Sequence, residues 1–222
     1  MEKNFSVIIP TLFRCPDITN ELLANLYEDE AVSEVIIIDN TEDPTNVNKI
    51  LISDKLKVHS QNKNIFVNPS WNLGVSLAKE DHIAILNDDI TIPNNLFYVL
   101  KQPDYIDLGV VGACHPTIQQ VEHPERFDVE SIELKLIAIP ERMWGYGIFM
   151  AMHKNAYLEI PEDMLVWCGD DYLFHQNRVR GKQNYTMLCP IQTKMSTTSD
   201  DPIFDKIKEK DIEAYNLKYK VA

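Results

Sequence analysis

The chain has 222 residues, 45% of them hydrophobic, and 21 basic against 34 acidic residues give a net charge of −13. That length suits one domain, or one with a small appendage, and the apolar share is enough to bury a core. The acidity disfavours unaided binding to nucleic acid or anionic membranes, no apolar run approaches the about 20 residues of a membrane span, and the four scattered cysteines form no CxxC pair.

The opening MEKNFSVIIPT runs straight into a strand-like segment without a leader layout, which predicts an intracellular, cytoplasmic setting. The β-branched run FSVIIP (5–10) predicts a strand closed by proline. PDITNELLANLYED (16–29) carries leucines at helical spacing behind a proline. SEVIIIDN (33–40) is a second buried strand, NVNKILI (46–52) a short helix, and KLKVHSQ (55–61) an alternating strand. NPSWNLGVSLAKE (68–80) predicts a helix with Pro69 and Ser70 in its first turn, and DHIAILNDD (81–89) another strand.

Strands alternating with helices predict an α/β fold with a mostly parallel sheet in this half. In such sheets ligands sit outside the carboxyl ends of the strands. Thr11, Asp39, Asp88 and Asp89 all follow strands at that kind of edge, so they are candidates for one crevice.

The second half is less regular. LGVVGACHPTIQ (108–119) and SIELKLIAIP (131–140) read as strands, and MWGYGIFMAMHKNAYLEI (143–160) as a glycine-containing turn, a strand and a short helix. CGDDYLFHQNRVRGK (168–182) predicts a helix opened by Asp170 or Asp171 and ending near Gly181, and NYTMLCPIQT (184–193) returns to strand. A single domain over 1–222 is expected, with 1–100 as the ligand-binding half and 101–222 completing the site.

SVIIPTLFR (6–14), VIIIDNTED (35–43), NPSWNLGVSLAKEDHIAILNDDITIPNNL (68–96) and WCGDDYLF (167–174) together resemble nucleotide-sugar glycosyltransferases of the GT-A fold, most closely the inverting family 2. The resemblance implies a Rossmann-like central sheet, a nucleotide-binding first half and an acceptor-binding second half. It implies transfer of a sugar from a nucleoside-diphosphate donor, a UDP-sugar by family likeness, to an acceptor hydroxyl with inversion.

The residues then take expected roles. Breaking the donor's glycosidic bond loads negative charge on its diphosphate, which a hard divalent cation offsets through oxygen ligands. The resemblance makes Asp89 the metal contact, with Mn²⁺ or Mg²⁺ as the ion, and sets Asp88 toward the ribose or a metal-bound water. Thr11 and Asp39 face the nucleotide, where a carboxylate accepts from a uracil N–H, and Asn40 assists. Arg14 approaches the phosphates or caps its loop. Asn72 and Gly74 match the family pattern in the helix before the acidic motif. In WCGDDYLF, Asp171 takes the acceptor's proton and Asp170 is its acidic companion, although acids at a helix start also serve as caps. Trp144, Tyr146 and Trp167 offer an acceptor platform for a sugar ring, with core packing as the alternative.

One position departs from the pattern. Many metal-dependent relatives carry a histidine ligand in a late segment, and QTKMSTTSDD (192–201) has Lys194 there. An ammonium is a donor and not a ligand, so it would bridge the diphosphate and leaves metal dependence open.

The acceptor is a glycan, a lipid-linked sugar or a modified DNA base. Compact enzymes of this kind, phage ones included, decorate a hydroxylated base, and the lysines of 205–220 suit such a partner while the overall acidity opposes it. A catalytically silent nucleotide-sugar-binding module is the reading of a different class. A dinucleotide oxidoreductase is disfavoured, because PTLFRCPD follows the first strand where GxGxxG is needed.

Overall fold

A computed structural model of the chain describes residues 4–129, 135–195 and 202–220. The elements run β1 (Phe5–Thr11), α1 (Pro16–Glu28), β2 (Val32–Asp39), β3 (Leu56–Ser60), α2 (Val67–Leu77), β4 (His82–Leu86), β5 (Ile90–Thr91) and α3 (Leu96–Leu100). There follow β6 (Leu108–Ala113), β7 (Ile118–Gln120), β8 (Leu136–Ala138), β9 (Phe149–His153), α4 (Gly169–Val179), β10 (Gln183–Met187), β11 (Ile191–Thr193) and α5 (Asp205–Ala214).

Eight strands form one sheet in the order β3-β2-β1-β4-β9-β6-β10-β8. β1 pairs in parallel with β2 and β4, β2 with β3, and β6 with β10. β9 lies antiparallel between β4 and β6, and β8 is an antiparallel edge on β10. Six of the eight strands therefore point the same way, which is the mostly parallel α/β sheet expected.

The continuous apolar runs explain the layering. Side chains alternate across a strand, so Val7, Ile9, Val35 and Ile37 enter one core with Leu22, Leu23 and Leu26 of α1. Ile8, Ile36, Ile38, Ile83 and Ile85 enter the opposite core with Trp71 of α2 and Leu173 and Phe174 of α4. Both faces are covered by helices, as a parallel sheet requires. Among the described residues, no helix is long and apolar enough to cross a membrane.

The strands expected over 108–119 and 184–193 are each broken in two, β6 and β10 lying in the large sheet and β7 and β11 in a separate one. Three further local expectations differ. The segment expected as a short helix over 46–52 is a single 3-10 stretch, Pro44–Lys49, whose entry is capped by the Asp43 carboxylate accepting from the Thr45 N–H at 2.9 Å. The short helix expected after β9 is one turn, Lys154–Ala156. α4 begins at Gly169 behind a left-handed Cys168, φ 63°, so Asp170 and Asp171 sit in its first turn and neither caps it. Of the strand expected over 131–140, residues up to 134 lie outside the described ones and β8 supplies the rest.

Gly74 illustrates the packing of α2 on the sheet. A Cβ there would meet Ile8 Cγ2 of β1 at 2.3 Å, and Ile8 is fully buried. Gly74→Ala is expected to cost about 1–3 kcal/mol in overpacking, against up to about 1 kcal/mol regained in helix propensity. A lower melting temperature would identify a packing glycine; unchanged stability would contradict it.

Candidate active site

The carboxyl ends of β1 and β4 open onto a crevice of about 680 Å³. Its wall contains Thr11, Arg14, Asn40, Asp88, Asp89, Asp170 and Asp171, drawn from segments up to 160 residues apart. Trp144 and Trp167 line it too.

The first acidic pair is fixed from β1. The Thr11 hydroxyl donates to Asp88 Oδ2 at 2.5 Å and accepts the Phe13 N–H at 2.7 Å. Thr19 of α1 donates to the Asp88 carbonyl at 2.9 Å. Burial pushes the Asp88 carboxyl up to about 6, and the adjacent Asp89 charge adds to it, against the Thr11 hydrogen bond and the Arg14 guanidinium. Asp89 is buried, and its carbonyl accepts the Lys194 N–H at 3.1 Å. That contact comes from a second, three-stranded sheet, β5-β11-β7, in which Thr193 lies opposite Ile90. Lys194 is thereby held beside the acidic motif, and its side chain is exposed. Residues 196–201, the rest of that late segment, lie outside the described ones.

The second pair is clamped by a cation that sequence reasoning missed. Arg142 Nε donates to Asp171 Oδ1 at 2.5 Å, and its Nη1 donates to Asp170 Oδ2 at 3.1 Å and to the Met143 carbonyl at 3.0 Å. Asp170 also lies against the 3-10 turn Tyr146–Ile148, where a Cβ on Gly147 would come within 2.9 Å of its Oδ2. Burial pushes the Asp170 carboxyl up, with Arg142 opposing and Asp171 adding to the shift.

The loop ahead of these acids is held from both sides. From α2, Asn68 Nδ2 donates to the carbonyls of Met164 and Trp167, each at 3.1 Å. From α5, the buried Asp211 carboxylate accepts the N–H groups of Leu165, Val166 and Trp167 at 3.0, 2.7 and 2.8 Å. Neither residue carried a sequence signal beyond its polarity. Trp167 and Phe66 pack edge-on to Phe204 at 6.3 and 6.4 Å between centroids, and the Arg14 guanidinium stands 5.8 Å over the Phe204 ring. Trp144 is half-exposed and stacks edge-on with His115 at 5.0 Å. Phe66, Cys168 and Met195, all in the crevice wall, hold positive φ without being glycine, and such strain persists only where the surroundings enforce it.

Five expected residues lie outside the crevice wall, Lys194 among them. Tyr146 is fully buried, and its hydroxyl donates to the carbonyls of Val110 and Tyr185. Asn72 ties α2 to the 157–160 loop, donating to the Ile160 carbonyl and accepting from the Ile160 N–H and the Tyr157 hydroxyl. Gly74 packs on Ile8. Asp39 is buried one residue behind Asn40, and its carboxylate accepts from the Thr41 N–H and from the hydroxyls of Thr41 and Ser60.

The Asp88–Asp89 donor set fits a hard divalent cation. It offers oxygen ligands only, and burial followed by the Asp89 charge raises the Asp88 carboxyl, a cost that a bound cation would relieve. Among the described residues no three His, Cys, Asp or Glu side chains form a metal cluster, so the remaining coordination would fall to substrate and water.

A twisted, mostly parallel sheet with two acidic pairs at its carboxyl edge is the architecture of a GT-A glycosyltransferase. Residues 6–159 match the family model described as glycosyl transferase family 2, and the chain belongs to that family. The match stops short of Asp170 and Asp171. No curated protein sequence matches the chain. Among solved structures, a mannosyltransferase from Pyrobaculum calidifontis in complex with GDP-Man and Mn²⁺ aligns with TM-score 0.61 and 14% identity over 89% of this chain and 59% of that one. S. aureus TarS aligns with TM-score 0.59 and 16% identity over 99% and 40%. GalNAc-T7 with UDP, GalNAc and Mn²⁺ aligns with TM-score 0.57 and 11% identity over 86% and 43%. The chain thus spans 59% or less of the length of these structures, and at such identities the likeness is one of fold.

The Asp211 contacts carry a stability prediction. Asp211→Ala leaves three N–H groups without their acceptor, at an expected cost of about 3–5 kcal/mol. Asp211→Asn keeps one acceptor oxygen and is expected to cost about half as much. Urea unfolding followed by tryptophan fluorescence measures both, and an alanine variant within 1 kcal/mol of the wild type would contradict a structural staple (about the value of one ordinary hydrogen bond).

Proposed function

We propose that the chain transfers one sugar from a UDP-sugar to an acceptor hydroxyl with inversion at the anomeric carbon. The observation that supports this most is the convergence of Asp88–Asp89 and Asp170–Asp171 on one crevice that also holds Arg14 and Arg142.

In this reading the donor's diphosphate lies near Asp88 and Asp89, with Asp89 and Asp88 holding Mn²⁺ or Mg²⁺. A bound divalent ion supplies charge neutralisation at the leaving diphosphate. Arg14 and Lys194 add positive charge at the same end. Asn40 reads the uracil from the end of β2, with Asp39 fixed behind it, and Thr11 orients Asp88 under the ribose. The acceptor sugar lies against Trp144 and Trp167. Asp171 takes the proton of the acceptor hydroxyl while that oxygen bonds to the anomeric carbon. The bond from the anomeric carbon to the diphosphate oxygen breaks, and its electron pair leaves with UDP. Asp170, shielded by Arg142, is the companion acid.

Calorimetric titration of UDP and of GDP, in Mn²⁺ and then in EDTA, tests the donor side. UDP is expected to bind at least tenfold tighter than GDP, and Asp89→Ala and EDTA each to remove that binding (a loss of more than about 1.4 kcal/mol). Asp171→Asn is expected to keep UDP affinity within a few fold and to lower turnover of the UDP-sugar by about 10²–10⁴. UDP binding that ignores both Asp89 and metal would overturn the assignment of the first pair. Unchanged turnover in Asp171→Asn would overturn that of the second.

A further inference from the structure

We infer that Arg142 is a positioning residue that fixes the orientation and sets the proton affinity of the Asp170–Asp171 pair. The inference rests on the reading of Asp171 as the proton acceptor, and it concerns a residue outside the motifs that suggested that reading.

The geometry is specific. One guanidinium reaches both carboxylates, through Nε to Asp171 Oδ1 and Nη1 to Asp170 Oδ2, and the Met143 carbonyl holds the same Nη1. An Arg fork anchored at three acceptors has little rotational freedom, so it holds both carboxylate planes. It occupies one oxygen of Asp171 and leaves Oδ2 for the acceptor hydroxyl. The step balances simply: the hydroxyl proton moves to Asp171 Oδ2 as the acceptor oxygen bonds to the anomeric carbon, and UDP departs with the bonding pair. Arg142 stays charged throughout and donates no proton, since guanidinium does not titrate in this range.

The surroundings leave Arg142 as the main control on the pair. Tyr146 faces Asp170 from the 3-10 turn, Cys168 adjoins both acids from the loop, and Tyr215 approaches from the end of α5. Burial pushes the Cys168 thiol and the Tyr215 hydroxyl up to about 12 and the Tyr146 hydroxyl well above its ordinary value. All three are therefore neutral wherever a carboxylate titrates. Asp211 acts on Cys168 from α5, one residue removed from the pair. Burial and the Asp171 charge raise the Asp170 carboxyl, and Arg142 opposes them more than the backbone N–H groups at the helix start do. Without the guanidinium, the pair loses the one cation that reaches both carboxylates.

The test titrates the full-length protein. Carboxyl ¹³C shifts of ¹³C-aspartate-labelled protein, assigned with Asp170→Asn and Asp171→Asn, report the pair directly. In Arg142→Gln the lower macroscopic pKa is expected to rise by about 1–2 units, the effect of an opposite charge at this distance. Arg142→Lys keeps a charge but loses the fork, so its pKa is expected within about 0.5 unit of the wild type while turnover falls about tenfold. Hydrolysis of the UDP-sugar against pH is the second readout. Its acid limb is expected to move up by the same 1–2 units in Arg142→Gln, a loss of about tenfold or more on the acid side. Carboxyl titrations that coincide in wild type and Arg142→Gln, both folded by thermal melting, would overturn the inference. If Asp171→Asn keeps full turnover while Arg142→Gln still shifts the titration, the base assignment fails and the control of the pair by Arg142 stands.

Discussion

The structure depends on one directional constraint. Six of its eight main strands point the same way and are covered by helices on both faces, so the carboxyl-terminal halves of the central strands β1, β2 and β4 carry chiefly aliphatic side chains. The polar groups that line the crevice emerge just beyond them. Thr11, Asn40, Asp88 and Asp89 all emerge at the same edge, and the antiparallel β9 brings the turn with Gly145 and Gly147 to meet them. The site is thus a consequence of the topology, and the sheet is its scaffold.

That edge gathers more negative charge than positive: four aspartates face two arginines in the crevice wall. Carboxylates out of water are costly unless paired or hydrogen-bonded. The two pairs meet this in different ways. Asp170 and Asp171 carry a permanent cation in Arg142, whereas Asp88 has a hydroxyl from Thr11 and a carboxyl raised to about 6. The second pair is complete within the protein. The first offers oxygen ligands to the divalent ion that the proposed function calls for.

The first hundred residues were legible because each signal there is local. A buried parallel strand is an unbroken aliphatic run, and its polar end is the next residue along, so β1, β2 and β4 and the residues Thr11, Asp39, Asp88 and Asp89 could be found by eye. The acid pair at α4 was legible for the same reason. Arg142, Asn68 and Asp211 were not, because each acts across the fold on a partner 28 to 99 residues away. Nothing in ERMW or KEKD separates a site-facing side chain from a solvated one. Gly74 and Tyr146 show the converse: a glycine and an aromatic in suggestive company were packing against Ile8 and the carbonyls of β6 and β10. The lysines of 205–220 looked like a basic run, yet α5 interleaves them with acids and turns Asp211 inward.

The two sides of the crevice also differ in how they are held. The side with Asp88 and Asp89 is built from strand ends that the sheet cannot move without breaking its register. The side with Asp170 and Asp171 adjoins a loop, residues 164–168, kept in place by side chains from α2 and α5. α5 follows the segment matched by the family and adds Ile212 to the crevice wall, and the helical turn Tyr215–Tyr219 after it adds Tyr215 and Asn216. A wall made of a helix and a loop can change its lining without disturbing the strands that hold the first acidic pair. Under the proposed function, such a division keeps the donor chemistry with the sheet and leaves the acceptor contacts to the C-terminal segment.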